Sequence, residues 1–235
     1  VIVLLAGMPR SGSTFAFNVV REVLRVRGSL YQEACEDIAG AVHRSGGTDH
    51  VVVKAHHFDT ASVELARAGA ARIVMTVRRV EDAMASWFEA FDAVPEAVAI
   101  QMMRDWLRLF QELRGTAVIV PYATIDRRPW LAVWRIARAI CPAVGPAEVI
   151  GIARRFSKAA VKRQVDGLAL DAPGVTAIGF SHYDATTFFH RRHVAALDSR
   201  PAEQRLDAAR LARVRAALAD EIRAAGLEHD RLRLT

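Results

Sequence analysis

The sequence predicts an α/β fold of the P-loop-containing nucleotide-binding kind, a parallel β-sheet flanked by helices. Three observations point there. The chain opens on the continuous apolar run Val1–Ala6, which passes straight into the glycine loop Gly7–Gly12 and then a helical pattern. Short apolar runs recur at 50–54, 71–77 and 116–120, separated by helical stretches. Continuous β-branched runs mark strands buried on both faces, and their alternation with helices implies crossover connections. Apolar residues make up 52% of the 235 and charged residues 25%, a balance that permits a sizeable core and excludes a disordered or collagen-like chain.

The elements follow in order. Val1–Ala6 is the first strand, and Ser13 to Arg27 a helix with Phe17, Val20, Val23 and Leu24 on one face. The stretch 28–49 is expected to be a loop, polar from Gly40 to Asp49, before the strand His50–Lys54. Asp59 or Thr60 caps a helix running to Ala68. Ala71–Val77 is the third strand and ends in Arg78-Arg79. From Val80 to Arg114 the pattern is helical with a break near Pro95, the loop being placed at 88–98. Thr116–Val120 is a fourth strand closed by Pro121, and Thr124 to Ile140 reads as one helix. Trp106, Trp130 and Trp134 sit at helical spacing with Leu107, Phe110 and Leu131 and are expected in the core. A basic helix is expected over Ala153–Arg163, a long loop over 171–192, and a last amphipathic helix through Leu206, Leu211, Val214, Leu218 and Ile222. No repeat or low-complexity tract interrupts this order, so residues 1–235 read as a single domain.

Composition narrows the function classes. The net charge is +6, yet only Lys54, Lys158 and Lys162 are lysines. A basic balance suits an anionic ligand, and scattered arginines without a reader motif do not suggest a nucleic-acid partner. Cys35 and Cys141 make neither a disulfide framework nor a zinc site. His190 and His193 have metal-ligand spacing but no evident third ligand, so no metal is expected. No apolar stretch approaches the roughly 18 residues of a membrane span. The opening run is too short for a signal sequence; it reads as the start of an excised domain, with a cytoplasmic setting as the default.

Three constellations carry chemistry. Gly7-Met-Pro-Arg-Ser-Gly12-Ser13-Thr14 has the spacing of a phosphate loop, with Ser13 where a nucleotide triphosphatase has lysine. Its backbone N–H groups and helix N-terminus still suit an anion, and Arg10 supplies a charge from within the loop. Val51-Val-Val-Lys54-Ala55-His56-His57 places a cation and a neutral-range base beyond a strand end, where ligands bind in such sheets. His57 reads as a solvated loop histidine. The third strand ends in Arg78, where a magnesium-binding acid would be expected in an NTPase. Ser86 lies eight residues on, in the following helix. An arginine fork and a hydroxyl suit a terminal phosphate. Arg79 and Arg104 read as solvated charges, and Asp82 as a first-turn acid favoured by the helix dipole.

These motifs, in this order, resemble the sulfotransferases that use 3′-phosphoadenosine 5′-phosphosulfate. The family's first strand feeds a P-[KR]-[ST]-G-[ST]-[ST] loop and an aromatic residue, here Pro9-Arg10-Ser11-Gly12-Ser13-Thr14-Phe15. Arginine at the second position looks like the carbohydrate and protein-tyrosine branches. The resemblance implies a 5′-phosphosulfate cradle from the backbone of Ser11, Gly12, Ser13 and Thr14 and the hydroxyls of Ser13 and Thr14. It implies that His56 deprotonates the acceptor while Lys54 and Arg10 stabilise charge on the leaving phosphate. The family's usual threonine between the last strand residue and the histidine is Ala55 here. Arg78 and Ser86 would hold the 3′-phosphate. Tyr122 would lie near the nucleotide, and Phe15 would stack on adenine or sit in the core. The family's Arg-Lys-Gly loop is missing; Arg191 or Arg192 would replace it, with Lys158, Lys162 and Arg163 as competitors. The match covers residues 1–90 well, and the C-terminal third departs from the family.

The implied reaction is sulfuryl transfer to a hydroxyl or amine of a small-molecule or carbohydrate acceptor. A sugar, lipid, phenol or peptide natural product all remain open, because the loops at 28–49, 88–98 and 171–192 would shape the pocket. Two other readings compete: a P-loop small-molecule kinase, opposed by Ser13 and the missing acid, and a basic nucleic-acid-binding module.

Overall fold

The computed structural model describes residues 1–178, 181–190, 194 and 199–228. Its main sheet is parallel throughout, with strand order β2-β3-β1-β4-β5 for β1 (Ile2–Leu5), β2 (Leu30–Glu33), β3 (His50–Lys54), β4 (Arg72–Val77) and β5 (Val118–Pro121). The register pairs Leu5 with both Lys54 and Val74, and Val77 with Pro121. The carboxyl ends of the three inner strands therefore lie side by side along one rim.

Strand periodicity sends alternate side chains to opposite faces. Leu4, Val51, Val53, Ile73 and Met75 pack beneath α3 (Thr60–Arg67), α4 (Val80–Ala90), α5 (Glu96–Leu113) and α10 (Ala208–Ala225). Val3, Leu5, Val52 and Val74 face α1 (Ser13–Arg25), α7 (Pro129–Ile140), α8 (Pro146–Arg155) and α9 (Lys158–Asp166). Burial on both sides is why these strands appear as unbroken apolar runs. Trp106 is fully buried, and its indole N–H donates to Ala6 O at 2.8 Å, fastening α5 to the rim end of β1.

Several expectations are corrected. The loop expected over 28–49 contains β2 and α2 (Ile38–Arg44). Every residue of β2 is only half-buried at the sheet edge, so it lacks an apolar run. The α2 N-terminus is capped by the Asp37 side chain, which accepts from Gly40 N. The expected helix over 124–140 is two, α6 (Tyr122–Arg127) and α7, broken at Arg128 before Pro129, as a proline disfavours helix in the residue preceding it. The basic helix also divides, into α8 and α9, with Ser157 capping α9 through Ala160 N. Part of the long loop 171–192 is an antiparallel hairpin, β6 (Val175–Ile178) and β7 (Ser181–Asp184). In the 88–98 loop, both ends belong to α4 and α5.

Trp130 is 54% exposed and Trp134 only partly buried, so the tryptophan expectation holds for Trp106 alone. Arg104 and Arg79 are not solvated charges. Arg104 bonds Glu221 Oε1 at 2.8 Å and Ala217 O at 2.7 Å, tying α5 to α10. Arg79 is held among Glu81, Asp82 and Glu203. Among the described residues, no helix is long and apolar enough to cross a membrane.

Candidate active site

The phosphate-loop segment continues from β1 along the end of β4. Ala6 N donates to Val74 O at 3.0 Å and Met8 N to Thr76 O at 2.9 Å. The Ser11 hydroxyl is fully buried, 2.6 Å from both Met8 O and Thr76 Oγ1. It is spent on stitching the loop to β4. The loop needs glycine at its first position. A Cβ on Gly7 would stand 2.4 Å from Thr76 Oγ1 and 2.5 Å from Ser13 Cβ. Gly7→Ala should destabilise the fold by about 1–3 kcal/mol, the range of overpacked sites. A thermal-unfolding midpoint equal to wild type would contradict so close an approach.

Arg10 has φ 61 and Gly12 φ 89. For arginine the left-handed region costs roughly 1–2 kcal/mol. The Arg10 carbonyl accepts from Arg78 Nη1 at 3.2 Å, and Arg10 Nε donates to Ser86 Oγ at 3.2 Å. The strained residue is thus tied to both members of the third constellation. Gly12 is the N-cap of α1, so the first N–H groups of that helix, which have no intrahelical acceptor, open beside Arg10.

Arg78 leaves the end of β4 with its guanidinium 4.2 Å from the Tyr122 ring centroid. Arg10 lies over Phe91, 5.7 Å from its centroid. Burial and then the charge of Arg78 lower the Arg10 pKa to about 10; burial also lowers that of Arg78. Two guanidiniums brought together at the expense of hydration make a strong anion attractor.

Lys54 ends β3 beside Leu5. Burial alone lowers its pKa to about 8. Two residues on, His56 Nδ1 lies 2.6 Å from Gly7 O. A carbonyl only accepts, so Nδ1 carries the proton and Nε2 keeps its lone pair. Burial, then Lys54 and Arg10, hold the His56 pKa near 3, against the opposing pull of the Gly7 carbonyl. The imidazole is therefore neutral, in one tautomer, next to the loop. His57 is 57% exposed and lies 3.5 Å from Glu36 Oε2.

The structure brings Arg10, Ser11, Gly12, Ser13, Thr14, Lys54, His56, Arg78, Ser86 and Tyr122 to one rim. Phe15 is 8% exposed and packs in the core with Val3 and Leu5, the placement left open beside stacking. Lys158 is engaged by Asp126 and Ser199, and Lys162 pairs with Asp166 one helical turn away. Arg163 is exposed on α9. Arg191 and Arg192 lie outside the described residues. Sequence reasoning missed Thr76, a polar residue hidden in an apolar strand, and Arg205, which has no motif around it. Among the described residues, no three histidine, cysteine, aspartate or glutamate side chains gather as a metal site.

No family model and no curated sequence relative matches the chain. Solved structures do. Mouse sulfotransferase SULT7A1 complexed with PAP matches with a TM-score of 0.67 at 13% identity, over 94% of this chain and 84% of that one. The fold is that of a sulfotransferase. Two structures of retinol dehydratase share it. One, with androsterone and inactive cofactor PAP, has a TM-score of 0.58 at 10% identity, over 94% of this chain and 80% of that one. The other, with retinol and PAP, has a TM-score of 0.60 at 11% identity, over 94% and 81%. The β1 loop, the Lys54 strand end and the Arg78 strand end thus sit together on a sulfotransferase fold.

Proposed function

We propose that the protein is a sulfotransferase that moves a sulfuryl group from 3′-phosphoadenosine 5′-phosphosulfate to a hydroxyl or amine of a small-molecule or carbohydrate acceptor. The single observation that carries this reading is the neutral His56, its Nδ1–H bound to Gly7 O of the anion loop and its Nε2 available beside Lys54. A kinase site needs an acid for magnesium at the end of β4, where this chain has Arg78.

The residues fit the donor. Gly7 and Gly12 let the loop fold closely against Thr76, Ser13 and Ile125, where a Cβ would clash, and the α1 N-terminus offers N–H groups to a phosphosulfate. Arg78 and Ser86 would hold the 3′-phosphate, with the Arg78 plane fixed on Tyr122. Arg10 and Lys54 would stabilise charge on the 5′-phosphate as the S–O bond to it breaks. His56 Nε2 would take the acceptor proton as the new O–S or N–S bond forms. A small-molecule acceptor agrees with the retinol and androsterone of the retinol dehydratase structures. Soluble action in the cytoplasm, in a chain that works as one domain, completes the proposal.

The test is calorimetric titration with 3′-phosphoadenosine 5′-phosphate (PAP) without magnesium, beside adenosine 5′-phosphate. Expected is tight binding that depends on the 3′-phosphate and weakens roughly 10- to 150-fold in Arg78→Ala, the worth of one charge-assisted hydrogen bond. Binding of ATP with magnesium and none of PAP would overturn the reading.

A further inference from the structure

The sequence leaves unsettled which cation completes the 3′-phosphate site, and the loop it nominates, at Arg191 and Arg192, lies outside the described residues. The surface of α4 supplies another candidate. Asp82, Ser86 and Glu89 recur at helical spacing and so share one face of α4. Along that face runs the side chain of Arg205. Its Nε donates to Glu89 Oε1 at 2.9 Å, its Nη2 to Glu89 Oε2 at 2.5 Å, and its Nη1 to Asp82 O at 3.4 Å. Bonded to the backbone carbonyl of Asp82 one turn before Ser86 and to the Glu89 side chain one turn after it, the guanidinium lies along the stretch of α4 that carries Ser86. Arg10 binds Ser86 directly, and Arg78 binds the Arg10 carbonyl.

Arg205 is also firmly placed. Its side chain is 9% exposed. Its segment is fixed to α4 by Ala202 N, which donates to Asp82 Oδ1 at 2.7 Å, and by the Arg79–Glu203 pair. Glu89 occupies one edge of the guanidinium fork. Nη1 is engaged only by the long bond to Asp82 O, so N–H capacity remains among the described residues. The charges of Arg10 and Arg78 each feel that of Arg205. Glu89 faces Arg205, while Asp82 and Asp126, which also act on Arg78, are each paired with a further cation, Arg79 and Lys158. Among the described residues the three guanidiniums therefore keep an excess of positive charge beside a hydroxyl, a setting matched to a phosphate dianion.

We infer that Arg205, oriented by Glu89, is a further nucleotide-binding residue that donates from Nη1 to the 3′-phosphate held by Arg78 and Ser86. The inference rests on the sulfotransferase reading above. Glu89 is a positioning residue: it fixes the fork through two bonds and stays clear of the phosphate.

The experiment compares binding of PAP and adenosine 5′-phosphate to wild type, Arg205→Met, Arg205→Lys and Glu89→Gln by calorimetry, with thermal unfolding as the check on folding. Arg205→Met should lose roughly 10- to 150-fold in PAP affinity, as expected for a charge-assisted hydrogen bond, while adenosine 5′-phosphate binding stays within about threefold. Arg205→Lys should recover part of the loss. Glu89→Gln, which breaks the same ion pair but keeps the cation, should retain most of the preference for PAP. Equal losses of both nucleotides in Arg205→Met and Glu89→Gln would make the pair a brace for α4 and overturn the inference. So would an unchanged PAP preference in Arg205→Met. If wild type itself shows no preference for PAP, the sulfotransferase reading fails first; a preference present in wild type that survives intact in Arg205→Met fails this inference alone.

Discussion

His56→Ala should lower turnover by about 10²–10⁴ while PAP affinity stays within a few-fold of wild type, because a positioned base acts on the acceptor proton and not on the nucleotide. The geometry explains why so weak a base can serve. The Gly7 carbonyl fixes the tautomer and aims Nε2, while burial and the charges of Lys54 and Arg10 keep the ring unprotonated. Once the anionic donor neutralises those cations, protonation of His56 becomes easier as the acceptor loses its proton. The pH profile carries the signature. With a free-protein pKa near 3, His56 is neutral throughout the range from pH 5 upward, so kcat/KM for the donor should show no acid limb between about pH 5 and 7. The check is turnover and PAP binding measured on one preparation. A variant with wild-type turnover removes His56 from the mechanism.

Lys54→Met should be the second severe variant, with kcat reduced by about 10²–10³, the cost of removing one group that stabilises transition-state charge. Lys54 also governs the alkaline side. Its pKa in the free protein is about 8, lowered by burial. Only the protonated form contacts the anion, so affinity is full below pH 8 and falls as pH rises through it. The bound phosphosulfate raises the pKa again, so binding at pH 8 and above takes up a proton. Calorimetry of PAP in buffers of different ionisation enthalpy at pH 8.5 should register that uptake, and Lys54→Met should abolish it. Uptake unchanged in Lys54→Met would assign the alkaline dependence to another group.

Much of this was legible from residue patterns because burial and chemistry coincide at the rim. Val3, Val52 and Val74 are buried on two-sided strands, so the strands appear as apolar runs and their ends locate Gly7, Lys54 and Arg78. The edge strand β2 was not legible, since Leu30 to Glu33 are half-buried and mostly polar. Arg205 could not be found by pattern either. It reaches the stretch of α4 around Ser86 from 119 positions along the chain, through pairings with Glu89 and Asp82 that only the tertiary fold creates. Ser11 was recognised as a loop residue, but the destination of its hydroxyl depends on Thr76, which looked like any other member of an apolar strand.

That hydroxyl pair has a kinetic consequence. Ser11 and Thr76, with the two backbone bonds from Ala6 and Met8, fasten the loop to β4 before any nucleotide arrives. The incoming anion meets donors already in place, and little chain entropy is surrendered when it docks. Encounter is then governed by diffusion and by the attraction of the arginines, and is insensitive to local refolding. Differences in affinity among loop and arginine variants should therefore reside in how long the nucleotide stays, with the arrival rate nearly constant across the series.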